Sequence, residues 1–120
     1  MTSKKWRLRI KKLCTEVGTY RPSFDPAIST LSDLLEQRDK VYQQYVDEGA
    51  EPLVVHTQDR GAQNLRKNPL LEVWDDLNKT ALTYWRDLGL TPKGLKAIDE
   101  ASMKPKKQSK LDKVMGELLG

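Results

Sequence analysis

Apolar residues recur at Leu70, Trp74, Leu77, Ala81, Tyr84 and Leu88, in alternating steps of four and three. That spacing lays them in one stripe along a helix, and a mean period of about 3.5 residues suits two long helices packed side by side. A second apolar edge, Leu71, Val73, Leu82 and Trp85, widens the stripe enough for the helix to touch more than one neighbour. The ends are written in the chain as well. Asn68 is placed to cap the first free amides, and Pro69 stands at the first helical position, where a missing N–H costs nothing. Gly89 supplies the left-handed residue that ends a helix, with Leu90 folding back on the last turn.

The same reasoning predicts two further helices before this one. Trp6, Ile10, Leu13 and Val17 form a stripe for a helix from near Ser3 to just before Gly18. Gly18 to Ser23 reads as a linker. Asp25-Pro26 then repeats the cap-and-proline opening, and Ile28, Leu31, Leu35, Tyr42 and Tyr45, with Leu34 and Val41 beside them, carry a helix to about Glu48, ended by Gly49. About 22 residues of helix span ~33 Å. Arg38 falls inside this stripe, so it snorkels to solvent or pairs with an acid on a neighbouring subunit. Pro52 to Thr57 clusters β-branched residues and favours an extended strand, to be partnered in a short hairpin or by another subunit. Gln58 to Lys67 reads as a polar loop. Thr91-Pro92 opens a short closing helix through about Ala101, with Leu95 and Ile98 inward; the step from Trp85 to Ile98 resembles a helix-turn-helix corner in which Lys93 and Lys96 would face a DNA groove, or else a purely structural bundle corner.

Charge changes the picture. The 120 residues carry a net charge of +4, unevenly spread. Residues 1–12 hold six cations and no acid, residues 103–113 hold five lysines against Asp112, and residues 13–101 hold ten cations against fifteen acids. Basic ends on an acidic body result. The cations of the first helix make either a solvated outer face or an arm that contacts phosphates. Pro105 breaks the chain before a lysine-rich, linker-like stretch, after which Leu111, Val114, Met115, Leu118 and Leu119 form a short amphipathic patch in need of a surface. The expected division is a helical domain over 1–101 and a basic tail over 102–120. A hydrophobic share of 38% against 32% charged is lean for a self-sufficient globule of this length, which favours self-association.

Candidate catalytic chemistry is not found. No glycine-rich phosphate loop is followed by Lys-Ser or Lys-Thr, and His56 and Cys14 are single residues in different segments, too few for a metal cluster or a nucleophile system. The acid pair Asp75-Asp76 reads as solvation. A non-enzyme with no cofactor and no metal is expected. Cys14 alone excludes an internal disulfide, and no run approaches the ~20 apolar residues that span a bilayer, so a cytoplasmic protein is expected.

The order of these parts carries a resemblance. A Trp-containing N-terminal helix, a long helix ending near Gly49, an extended stretch, the Asn68-Pro69-Leu70-Leu71 helix and the closing Leu88-Gly89-Leu90-Thr91-Pro92 resemble the small subunits of tailed-phage terminases, in particular the P27 family, over roughly Lys4 to Ile98. The resemblance implies a mainly α fold: a long antiparallel helical hairpin with a basic N-terminal helix, a short extended connector and a short C-terminal helix, assembling as a homo-oligomeric ring in the host cytoplasm. It implies double-stranded viral DNA and the large terminase subunit as partners, with no membrane. DNA contact is then assigned to Lys4, Lys5, Arg7, Arg9, Lys11 and Lys12, and secondarily to Lys104, Lys106, Lys107 and Lys110. Core and subunit contacts fall to Leu35, Tyr42, Tyr45, Trp74, Leu77, Ala81, Tyr84, Trp85 and Leu88. Docking on the large subunit falls to Leu111, Val114, Met115 and Leu118. Two other readings fit the residues: a dimeric helix-turn-helix-like DNA-binding regulator, and a helical interaction adaptor without DNA.

Overall fold

The structure, a computed structural model, describes residues 1–101. The tail expected over 102–120, with the residues singled out above from Lys104 to Leu119, lies outside the described residues. Helix α1 (Ser3–Val17) is followed by a 3-10 turn (Pro22–Phe24) and helix α2 (Asp25–Asp47). Strands β1 (Leu53–Thr57) and β2 (Gln63–Lys67) come next, then helix α3 (Pro69–Asp87). Residues 92–101 form a last helix, α4.

The capping chemistry of α3 is as expected. Asn68 Oδ1 accepts from the Leu70 N–H at 3.0 Å, with Pro69 at the start. At the far end Gly89 has φ +74°, and the Leu90 N–H reaches back to the Trp85 carbonyl at 2.8 Å. This is the left-handed closure that a glycine allows cheaply. The opening of α2 differs from expectation. Asp25 is the first helical residue rather than the cap, and Phe24 precedes it without a side-chain bond to the helix. The Asp25 carboxylate instead accepts from Tyr20 OH at 2.9 Å, because the 3-10 turn already delivers the chain in helical geometry.

Tyr42 packs on Trp74 and Arg38 meets Asn78, so α2 and α3 run antiparallel. Helix α1 lies across the half of this pair nearest the α2 start. Ile10 and Cys14 from α1, Ile28, Leu31 and Leu35 from α2, and Ala81 and Leu88 from α3 form the buried core. Trp6 meets Trp85 edge-on, with ring centroids 6.4 Å apart. The inward positions of α1 are therefore Trp6, Ile10, Leu13 and Cys14; Val17, expected inside, is 41% exposed. Helix period alone does not decide this, since Val17 stands about 20° and Cys14 about 40° from the line through Ile10; the contact with α2 and α3 buries Cys14 and leaves Val17, the last helical residue, outside.

The stretch expected to be a linker is a joint. Thr19 is buried, and its hydroxyl donates to the Leu88 carbonyl at 2.8 Å, tying the end of α1 to the end of α3. Helix α4 closes the same corner, its start capped by Thr91 Oγ1 accepting from the Gly94 N–H at 3.0 Å.

The polar stretch Gln58 to Lys67 is not a loop throughout. Gln63–Lys67 forms β2, paired antiparallel with β1 so that Val55 faces Leu65 and His56 faces Asn64. A single apolar residue, Leu65, left no alternation to read; the ladder to β1 and the turn from Gln58 to Ala62 decide the conformation. This two-stranded ribbon stands at the far end of α2 and α3, beyond the reach of α1, and nearly all of it is exposed.

Candidate nucleic-acid interface

On α1, Lys4, Lys5, Arg7, Arg9, Lys11 and Lys12 are all exposed. At about 100° per residue they fan over roughly 200° of the helix, opposite the face that carries Ile10. None of the six forms an ion pair among the described residues. Lys11 lies over the Tyr20 ring, 5.1 Å from its centroid, which steadies the ammonium without neutralising it. Leu8, 64% exposed, sits among these cations beside a shallow groove of about 390 Å³ lined by Leu8, Arg9, Lys12, Leu13 and Glu16.

The charge order along α1 opposes its own dipole. Lys4 and Lys5 occupy the first turn, which holds no acid, and the last turn holds no cation. Each such placement costs a helix about 0.3–1 kcal/mol at low salt. Helix stability therefore does not explain the placement of Lys4 and Lys5.

Helix α2 supplies the missing negative charge from outside. Asp33, Glu36 and Asp39, three residues apart on one face, meet the α1 N-terminus. Glu36 accepts from the Ser3 N–H at 2.7 Å, and Asp33 accepts from the Ser3 hydroxyl. Asp39 accepts from the Trp6 indole N–H at 2.8 Å and from the N-terminal ammonium at 3.0 Å. Arg38 completes the cluster. It bonds to Asp39 and to Asn78 and stacks over Trp6, 5.5 Å from the ring centroid. Sequence reasoning placed Arg38 in the apolar stripe and left its partner open between solvent and another subunit. Its partners lie within the same chain, which spares it the cost of an unpaired buried charge. The acids Asp33, Glu36 and Asp39 were missed by the sequence reading, because only their contacts with the distant N-terminus give them a role.

These contacts perturb two carboxyls. The Ser3 N–H, then Lys40, hold Glu36 below the ordinary range. For Asp39, burial pushes upward, but the Trp6 N–H, the N-terminal ammonium and Arg38 together bring it below its usual value. The acids are thus committed to orienting α1, and the cations on its outer side stay available.

The other cation sources are less free. Lys67 is ion-paired with Asp75, which raises its pKa, and Arg66 approaches Glu72 at 3.9 Å. On α4, Lys93 and Lys96 are exposed at the Gly89 corner. Of the residues expected in core or subunit contacts, Leu35, Tyr45, Ala81 and Leu88 are buried, Trp74, Leu77, Tyr84 and Trp85 are half-buried, and Tyr42 is 45% exposed.

Comparison with known protein families decides the identity. The pattern described as "Phage terminase, small subunit" matches residues 3–110. The chain belongs to that family. The family match covers every described helix and the ribbon, so the role in phage DNA packaging attaches to the whole fold. Neither the curated proteins nor the solved structures contain a match. No helix among the described residues is long and apolar enough to cross a membrane.

Proposed function

We propose that this terminase small subunit, of the P27 kind, is the non-catalytic DNA-recognition subunit of the packaging machine. It assembles as a homo-oligomeric ring in the host cytoplasm, binds double-stranded viral DNA, and delivers it to the large subunit, whose ATPase and nuclease it regulates. The observation that carries this reading is the cationic fan of α1, exposed and unpaired, on a helix whose own stability it does not serve. Repetition around a ring multiplies a modest phosphate contact without any new contact per subunit. The lysines at 104, 106, 107 and 110 add a second contact, and the apolar residues at 111–118 dock on the large subunit.

The test is DNA binding followed by fluorescence anisotropy across a salt series. Wild-type affinity falls steeply with salt, since neutralised phosphates release counterions. Replacing Lys4, Arg7, Arg9 and Lys12 together by alanine weakens binding and flattens the salt slope by roughly one for each phosphate no longer neutralised. Unchanged binding in that variant would remove α1 from the interface. A second reading, a dimeric regulator reading DNA with the Gly89 corner, is favoured by exposed Lys93 and Lys96 on α4. It predicts a native mass of two chains and loss of binding on replacing those two lysines instead.

A further inference from the structure

The ribbon is patterned for burial that its own chain does not provide. In its register Leu53, Val55 and Thr57 of β1 share a face with Gln63, Leu65 and Lys67 of β2. Leu53 is 52%, Val55 60% and Leu65 67% exposed, with Val55 and Leu65 directly opposite each other. The other face carries His56, Asn64 and Arg66 and is polar apart from Val54. A lone two-stranded hairpin is marginal in water and gains independent stability only by packing its apolar face. Here the ribbon is tied to the body at its base. The Asn68 N–H donates to the Pro52 carbonyl at 2.8 Å, Asn68 Nδ2 donates to the Glu51 carbonyl at 3.0 Å, and Lys67 reaches Asp75.

The same chain carries a matching concavity. Beyond Asp39, where α1 stops, α2 and α3 continue as a two-helix arm with one flank uncovered. A groove of about 520 Å³ opens there, lined by Arg38, Asp39, Tyr42, Gln43 and Trp74. Tyr42 is 45% and Val46, one turn on, 43% exposed, and the Tyr42 and Trp74 rings pack 5.6 Å apart as its aromatic wall. In the single chain the groove and the ribbon face are both left open to water.

We propose that the occupant of this groove is the ribbon of a second copy, with Leu53, Val55 and Leu65 of one copy seated against Tyr42, Val46 and Trp74 of the next. This rests on the self-assembly proposed above and names the surfaces that produce it. A thin aliphatic protrusion and an aromatic groove on one chain, each unfilled by the other, make a head-to-tail contact, the type that closes into rings. The area is in proportion. The exposed parts of Leu53, Val55 and Leu65 on the ribbon and of Tyr42 and Val46 at the groove come together to roughly 450 Å² over the two surfaces, each of the size of an ordinary apolar patch. That is about half of the apolar area a subunit gives to two neighbours at standard contacts of ~800 Å² per side. Half-buried Trp74 adds to the groove side of the contact.

The experiment uses the full chain and two readouts. The first is native mass by light scattering for wild type and Val55→Asp. Val55 is 60% exposed in the single chain, so the substitution leaves the helical circular dichroism unchanged. The expected result is a large oligomer for wild type and a drop of at least tenfold in its association constant for the variant. The second mixes a Leu65→Cys copy with a differently tagged Tyr42→Cys copy under mild oxidation; buried Cys14 serves as the silent background. The proposal expects the mixed disulfide between the two tags. A wild-type oligomer that persists in Val55→Asp and forms no mixed disulfide overturns the docking while leaving the ring intact. Preferential Leu65→Cys self-linking overturns it in favour of ribbon against ribbon. A monomeric wild type overturns both the docking and the assembly on which it rests.

Discussion

Trp6 and Asp39 are joined by an indole N–H to carboxylate bond of 2.8 Å that locks the first turn of α1 onto the middle of α2. It fixes the roll of α1, and so decides which side of the helix turns its cations outward. Trp6→Phe keeps the ring contact with Trp85 but removes the donor. Thermal unfolding should show a loss of about 1 kcal/mol, with helix content unchanged.

The pH dependence of that joint has a definite sign. Asp39 lies below its ordinary value of 3.8 in the fold, so its stabilising contribution is complete above that pH. It is lost as the pH falls through the lower folded value. The stability difference between wild type and Asp39→Asn should therefore be constant from pH 7 to about 4 and shrink below it, as read from urea midpoints along a pH series.

Thr19 is the pin at the other end of α1. Thr19→Val keeps the volume and removes the hydroxyl, leaving the Leu88 carbonyl without its 2.8 Å donor in a buried corner. A loss of about 1–3 kcal/mol is expected, with amide exchange accelerating first at the end of α3 and in α4.

The approach of α4 to α3 depends on Gly94. A Cβ there would stand 2.1 Å from the Arg86 carbonyl oxygen, a backbone atom that has no rotamer by which to give way. Gly94→Ala should displace α4 and cost about 1–3 kcal/mol, the range for forcing extra atoms into a packed site. The measurement is urea unfolding together with the exposure of Lys93 and Lys96 to acylation. An unchanged midpoint would count against the close packing of α4.

Cys14 is wholly buried, and burial raises its thiol pKa, with Thr19 acting weakly in the other direction. Reaction with a disulfide reagent at pH 8 should be slower than for a free thiol by about the folded-to-unfolded ratio, of order 10³ or more. Urea that unfolds the core should restore the full rate.

Local codes were legible directly. The Asn68-Pro69 start and the Gly89-Leu90 stop of α3, the span of α1, and the Thr91-Pro92 start of α4 each depend on residues within a few positions of one another. Capping satisfies backbone groups of the same turn, so those stretches carry the answer in themselves. The cationic outer side of α1 was legible for a related reason: six cations without an intervening acid leave no nearby partner. Three things needed the tertiary structure. Strand β2 exists because β1 faces it, and Leu65 alone announces no period. Arg38, Asp33, Glu36 and Asp39 acquire their roles from an N-terminus some thirty residues away in the chain. Cys14 and Val17 exchange inside for outside because the line of contact with α2 and α3, not the helix alone, defines the inner face. In each case the deciding interaction joins residues far apart in sequence, and a pattern read along the chain does not carry it.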